Sequence, residues 1–396
     1  MNIRTLRIDP KRNSLQSIIL GGLVIRLTFF IILVTVGLSV SNPYFLEDDI
    51  KYERLAQLYL NSASSLFDLN AFKIIGAASY LTTFWPWVMC VSAFFFRNIY
   101  AGRIINIILS VICIKLTYDV TYKICLSEKT GLHAAKLFAF LPLTVMTCCF
   151  PIKDIFLTYS ALYFFRYILS IQNGEKIKLT STLYCVILLI CTYFTRGALV
   201  GLYSIFGFVY LFDKLYKEKK YGWNMVLVVV GIILMFLFGN VIVNSFVEKI
   251  DVYSRYGLEN MGGIALVRIT SWRDLYKLPL TYLFALLQPM KTDLFTINMN
   301  SFWLSILGYL NLSLYPIAMG SFLYLFMKKH NFLFWLSTFV LYSSVISLSL
   351  GIFRHYLFMA PLGMINFALV NENKTKLTQL FIYGGSLVLL MFILIR

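Results

Sequence analysis

Charge is what this sequence has little of. Asp, Glu, Lys and Arg together make up 13% of its 396 residues, and only 18 residues are acidic. A soluble domain carries roughly 25% charged residues. The shortfall excludes a water-soluble enzyme, a disordered protein and a fibrous one. Histidine is nearly missing: His133, His330 and His355 are too few and too scattered for a metal cage. The seven cysteines are odd in number and contain no C-x-x-C, so they read as packed thiols rather than a disulfide framework or a zinc site. There is no Gly/Ser linker, low-complexity tract or internal repeat, and residues 1–396 read as one integral-membrane domain.

Apolar surface is what the chain has in excess. Hydrophobic residues make up 59% and aromatic residues 17%, and the mean hydropathy is +0.77. Apolar runs of about 20 residues recur along the whole length, as in a polytopic membrane protein. The net charge of +17, from 35 Lys+Arg against 18 Asp+Glu, would suggest nucleic acid in a soluble protein. Here it is tested first against the tendency of lysine and arginine to stay on the cytoplasmic side, and no nucleic-acid partner is expected.

Arg4, Arg7, Lys11 and Arg12 precede an apolar run of full spanning length with no small-residue cleavage site after it. This predicts a first transmembrane helix with a cytoplasmic N-terminus. Hydropathy places spans at 16–40, 102–123, 132–150, 155–171, 179–195, 197–213, 224–245, 302–326, 332–351, 355–370 and 377–395. The apolar run 74–96 decides the topology. If it does not cross, Lys129, Lys136, Lys176, Lys178, the Lys214–Lys220 cluster, Lys328, Lys329, Lys374 and Lys376 all fall on the cytoplasmic side. If it crosses, they all move outside, against the charge bias. The first choice leaves 74–96 on or dipping into the outer leaflet, which suits Phe84-Trp85-Pro86-Trp87. The expected fold is all-α, with about eleven transmembrane helices, the N-terminus inside and the C-terminus outside. Two long external segments follow, near 41–101 and 246–301. In the second, the apolar stretch Leu278 to Met290 is broken by Pro279 and Pro289 and is too short to span.

Charges on the external side are not needed for topology, so they are informative. The first loop contains Glu47, Asp48 and Asp49 immediately after a transmembrane helix. If a helix starts here, one of these carboxylates can cap it, and Tyr52 and Ala56 share a face. The acids fit a general base or metal-binding carboxylates, and equally a capped, solvated loop. A second acid, Asp154, follows Pro151-Ile152-Lys153 in a short turn, where an N-cap explains it as well. Arg103 opens the helix that leaves the first loop, Arg196 sits in the turn Thr195-Arg196-Gly197, and Arg354 and His355 sit between the last external turn and a helix ending near Pro361. Singly, each arginine reads as an interfacial snorkeller. Together they set cations beside two acidic spots at one membrane face, where charge is costly unless it pairs or lines a wet cavity. Arginine forks suit phosphate oxygens. Arg26, inside the first apolar run, is expected either to snorkel or to pair with an acid such as Asp119.

This layout resembles the GT-C glycosyltransferases, polytopic enzymes that use polyprenyl-linked sugars. Their pattern is a first helix and then an external D-[DE]-x-x-Y-x-x-x-A, matched here by Asp48-Asp49-Ile50-Lys51-Tyr52-Glu53-Arg54-Leu55-Ala56. An Arg-led helix, a short loop and a helix ending in Pro before an external Asp correspond to Arg103, the Lys129 loop, and Pro151 before Asp154. The Arg354-His355 turn leading to Pro361 resembles bacterial members. The resemblance covers most of the chain in layout, and the first motif is its specific part. It implies external juxtamembrane helices and Asp48 as acceptor-activating base or metal ligand, beside Asp49. It also implies Asp154 as a second carboxylate. Arg103, Lys153, Arg196, Arg354 and His355 would hold the lipid phosphate, and Tyr52 and Glu47 would lie along the acceptor loop. Mg²⁺ or Mn²⁺ and a metal-free mechanism are both open. No soluble C-terminal domain is expected, which speaks against a protein acceptor.

The implied activity is transfer of a sugar or oligosaccharide from a polyprenyl-phosphate or -diphosphate carrier to a glycan acceptor. It would take place at the external face of a bacterial inner membrane, in surface-polysaccharide assembly. A Wzy-type polymerase of O-antigen or capsule repeat units shares the aromatic-rich composition, the many helices and the external arginines. A lipid-linked oligosaccharide flippase fits less well, because transporters show repeats, broken helices and ionisable groups near the midplane.

Overall fold

The computed structural model describes residues 10–37, 47–71, 73, 84–231, 233, 321, 332–349 and 358–372. Every regular element among them is a helix. In chain order these are α1 (Pro10–Gly37), α2 (Glu47–Ser62), α3 (Phe84–Phe96), α4 (Ala101–Cys125), α5 (Glu128–Ala139), α6 (Pro142–Thr147), α7 (Asp154–Gln172) and α8 (Leu179–Lys217). A short helix α9 (Tyr221–Gly231), then α10 (Phe332–Ser349) and α11 (Ala360–Glu372), complete the described set. Among the described residues, four segments are long and apolar enough to cross a bilayer: Ser14–Thr35, Ala101–Cys125, Leu179–Gly197 and Leu199–Lys217. The chain is an α-helical membrane protein.

The hydropathy expectations for 102–123, 155–171 and 332–351 coincide with α4, α7 and α10 to within two or three residues at each end. Those for 302–326 and 377–395, and the external segment 246–301, lie outside the described residues apart from Ser321. One expectation is corrected. Residues 132–150 are not one helix: α5 stops at Ala139 and α6 restarts at Pro142. Proline has no amide hydrogen and its ring clashes with the preceding turn, so the ladder cannot run through it. Inside a bilayer the freed carbonyls need other donors. The Thr144 hydroxyl donates to the Phe138 carbonyl at 3.1 Å. Arg26 Nη1 donates to the Ala139 carbonyl at 2.7 Å.

Arg26 therefore neither snorkels nor pairs with Asp119. It is fully buried and also donates from Nε to Ser110 Oγ at 2.9 Å and from Nη1 to the Gly22 carbonyl at 2.9 Å. A cation at the C-terminal end of α5 is also favoured by that helix's dipole.

α7 lies inside the bundle. Asp154 to Leu162 are buried without interruption, as expected for a helix covered on every side. α4 packs against it, and so does α8. α8 is two arms joined at Arg196, whose backbone is non-helical. The first arm runs antiparallel to α7: Ser160 pairs with Thr192 at 2.6 Å, and Tyr167 with Thr182 at 3.0 Å. The second arm runs parallel to it, with Phe164 stacked on Tyr203 at 4.7 Å and Gln172 donating to Asp213 at 3.0 Å. The Arg196 bend thus lies at the same end of the bundle as Asp154.

The opposite end collects the lysine-bearing connections. Lys123 pairs with Glu175, Asn173 donates to the Lys123 carbonyl at 3.0 Å, and Ser127 donates to Glu372 at 2.9 Å. The seven cysteines are all free thiols.

Candidate functional site

The site is built at the end opposite the lysine-bearing connections, from α2, α3, α4 and the turn before α7. α2 begins at Glu47, so Asp48 and Asp49 occupy its first turn. Their side chains, and that of Glu47, lie outside what is described. Helical register sets Asp48 four residues before Tyr52 and Asp49 four before Glu53. Tyr52 and Ala56 share the buried face, at 0% and 1% exposure, as the spacing predicts. α2 rests on α3, the only described part of the 74–96 run. At 13 residues, α3 is about 20 Å long, short of a hydrocarbon core of roughly 30 Å. Tyr59 of α2 meets its Phe94 edge-on at 5.9 Å, and Phe67, in the segment after α2, stacks on its Trp87 at 5.8 Å. Trp87 is exposed, whereas Trp85 is buried.

Glu53 joins α2 to the bundle, and sequence reasoning passed it over in favour of its acidic neighbours. Its Oε1 accepts from Arg103 Nε at 2.5 Å, and the two side chains are 3% and 2% exposed. Arg103 was expected to hold a lipid phosphate. One of its donors is committed to Glu53, so Arg103 is also the clamp that seats α2. The guanidinium lies 5.4 Å from the Tyr100 ring centroid.

One turn further along α4, Asn106 fixes the turn that presents Asp154. Its Nδ2 donates to the Phe150 carbonyl at 2.7 Å and to the Ile152 carbonyl at 2.9 Å. Between them, Trp85 Nε1 donates to the Pro151 carbonyl at 3.1 Å. Three consecutive carbonyls in a proline-containing turn thus each receive a side-chain donor. Two acceptors bonded to one amide nitrogen also settle the orientation of the Asn106 amide, because only nitrogen can donate. Its Oδ1 then points away, buried and without a hydrogen bond among the described residues, as does Glu53 Oε2.

Asp154 is fully buried and is the first residue of α7. It is not the N-cap, a position held by Lys153, which gives no side-chain cap. A carboxylate in the first helical turn is favoured by the helix dipole. Lys153 and Arg196 are half-buried at the same end. Arg354 and His355 lie outside the described residues. Among the described residues no group of three or more His, Cys, Asp or Glu gathers to hold a metal ion.

No protein-family model, no curated protein and no solved structure matches the chain.

Proposed function

We propose that the chain is a membrane glycosyltransferase. It would move a sugar or oligosaccharide from a polyprenyl-phosphate or -diphosphate carrier to a glycan acceptor. The transfer would take place at the external face of a bacterial inner membrane, in surface-polysaccharide assembly. The observation that carries this reading is the gathering of buried polar groups at the end away from the lysine-bearing connections. Glu53 pairs there with Arg103, Asn106 holds the turn that leads into the buried Asp154, and the acid-rich α2 is joined to this end through Glu53. Buried polar atoms without partners are costly, and Glu53 Oε2 and Asn106 Oδ1 are both acceptors. A ligand rich in hydroxyl donors supplies what they lack. The lysine-rich connections at the other end fit the cytoplasmic side, and on this reading the site faces outside.

In the proposed reaction, a carboxylate takes the proton of the acceptor hydroxyl while that oxygen bonds to the sugar's anomeric carbon. The bond from that carbon to the carrier phosphate breaks, and the phosphate leaves with the electron pair. Asp48, which matches the motif, is the assigned base, with Asp154 as second carboxylate. Arg103 and Arg196 stabilise the leaving phosphate.

Membranes carrying Asp48→Asn should fail to transfer a radiolabelled sugar from lipid-linked donor, and wild-type turnover by that variant refutes the assignment. The arginines at this end also suit a diphosphate-linked repeat unit, as a polymerase would use. Full-length polymer from Asp48→Asn, together with its loss in Arg196→Gln, would favour that second reading.

A further inference from the structure

A second charged site lies on the opposite half of the bundle, away from the transferase groups. The outward stripe of α4 runs Ile104, Ile108, Ile112, Lys115, Asp119, Tyr122, at spacings of three and four that keep one helix face. The three isoleucines are exposed, as lipid-facing residues of a spanning helix are. The stripe then turns ionic. Lys115 Nζ lies 2.8 Å from Asp119 Oδ2, and Arg166 Nε of the neighbouring α7 lies 3.1 Å from the same oxygen. Two cations share one carboxylate, leaving a net charge of +1.

Depth makes that surplus expensive. Asp119 lies six residues before the end of α4, and Arg166 six before the end of α7. Both are therefore about 9 Å in from the lysine-rich ends of their helices. If α4's 25 residues, about 37 Å, are centred on a hydrocarbon core of roughly 30 Å, the charged heads sit about 5 Å below its surface. The carboxylate is largely covered, at 15% exposure, whereas Lys115 is 54% and Arg166 39% exposed. The terminal nitrogens of Arg166 make no hydrogen bond among the described residues. Tyrosines flank the cations: Arg166 lies 6.0 Å from the Tyr163 ring centroid, Tyr163 meets Tyr184 edge-on at 4.9 Å, and Tyr122 continues the stripe. A guanidinium fork beside an ammonium, bordered by hydroxyl-bearing rings at a membrane boundary, matches a phosphodiester in charge and geometry.

We propose that Lys115 and Arg166 bind the phosphate of one anionic phospholipid from the leaflet on the lysine-rich side, with the headgroup drawn down between α4 and α7. This site does not depend on the transferase reading.

The test uses the detergent-purified full chain and native mass spectrometry. Phosphatidylglycerol and phosphatidylcholine of identical acyl chains are offered in equal amounts. The wild type should retain one phosphatidylglycerol in preference. Lys115→Met keeps the Asp119–Arg166 pair, and so the fold, while cancelling the surplus charge; it should lower that preference at least roughly fivefold. Lys219→Gln/Lys220→Gln, which changes the general basic rim instead, should leave it in place. Equal retention of the two lipids by the wild type overturns the proposal. So does an unchanged preference in Lys115→Met, or a loss seen only in the Lys219/Lys220 variant.

Discussion

Replacing Glu53 by alanine strands the Arg103 guanidinium at a site where the pair is 3% and 2% exposed. Water cannot take over the lost partner. Removing one member of a buried ion pair costs about 3–5 kcal/mol, most of it the penalty of the charge left behind. Arg103→Met strands Glu53 in the same way. The double variant Glu53→Leu/Arg103→Met removes both charges and keeps apolar volume, so it should cost about 1 kcal/mol or less. The two changes are therefore strongly non-additive, and the double variant should be several kcal/mol more stable than the sum of the singles. Thermal unfolding of the full chain in mild detergent reads this out. At roughly 2 °C or more per kcal/mol, each single variant should lose at least about 6 °C and the double variant should lie near the wild type. Additive losses, or single variants that melt with the wild type, would show that the pair is solvated and that α2 is seated by other contacts. The same double variant also tests the pair for a part in transfer. Full transfer leaves Arg103 with the clamp alone, and a folded protein that has lost transfer supports ligand binding by Arg103 or Glu53.

Three further outcomes follow from particular contacts. Arg26→Met removes the donor to the Ala139 carbonyl at the α5–α6 break. Three charge-assisted bonds outweigh a mid-membrane arginine cost of roughly 3 kcal/mol, so a loss of about 2–4 kcal/mol is expected in the same melting assay. Gly102→Ala puts a methyl group 2.2 Å from Met89 Sδ and 2.6 Å from its Cε, where α3 crosses α4. It should cost about 1–3 kcal/mol, and part of this should be recovered when Met89 is also cut to alanine. Asp68 accepts from the Ser64 amide at 3.0 Å and its hydroxyl at 2.8 Å, and from the amides of Asn70 and Ala71. These bonds, the Ser64 amide first, hold its carboxyl down at about 2. A depressed folded value means the turn is fully stabilised above the unfolded carboxylate pKa of about 3.9, and loses that stabilisation as the pH falls toward 2. Hydrogen exchange at residues 64–71 should quicken over that interval, and Asp68→Asn should remove the pH dependence.

The helices were legible because hydrophobic periodicity and run length are local properties. α4, α7 and the two arms of α8 can be read from windows of about twenty residues. Pro142 was visible in the sequence too, but whether it ends a helix or merely kinks it depends on donors reaching the freed carbonyls. Those donors are Thr144, close by, and Arg26, 113 positions before Ala139. Of the candidate site, Tyr52, Arg103 and Asp154 were found by residue type and position. Glu53 and Asn106 were not. A glutamate beside two aspartates looks like one more surface acid, and an asparagine in an apolar helix carries no motif. The one clue is their reach, since Asn106 follows Arg103 by a single helical turn.

Scarce charge and recurring apolar runs thus decide from sequence alone that the chain is helical and lives in a membrane, because a bilayer admits few other solutions. The fold brings the lysine-bearing connections around residues 123–129 and 173–178 to one end. Tertiary structure decides which acid meets which arginine. Among the described side chains, Glu53 is an acid that packing across 50 positions brings to Arg103. Arg26 likewise answers to a helix break and not to Asp119, which Lys115 and Arg166 already hold. Burial makes each of these choices energetically decisive, and burial is set by what lies opposite a side chain in space rather than beside it in the chain.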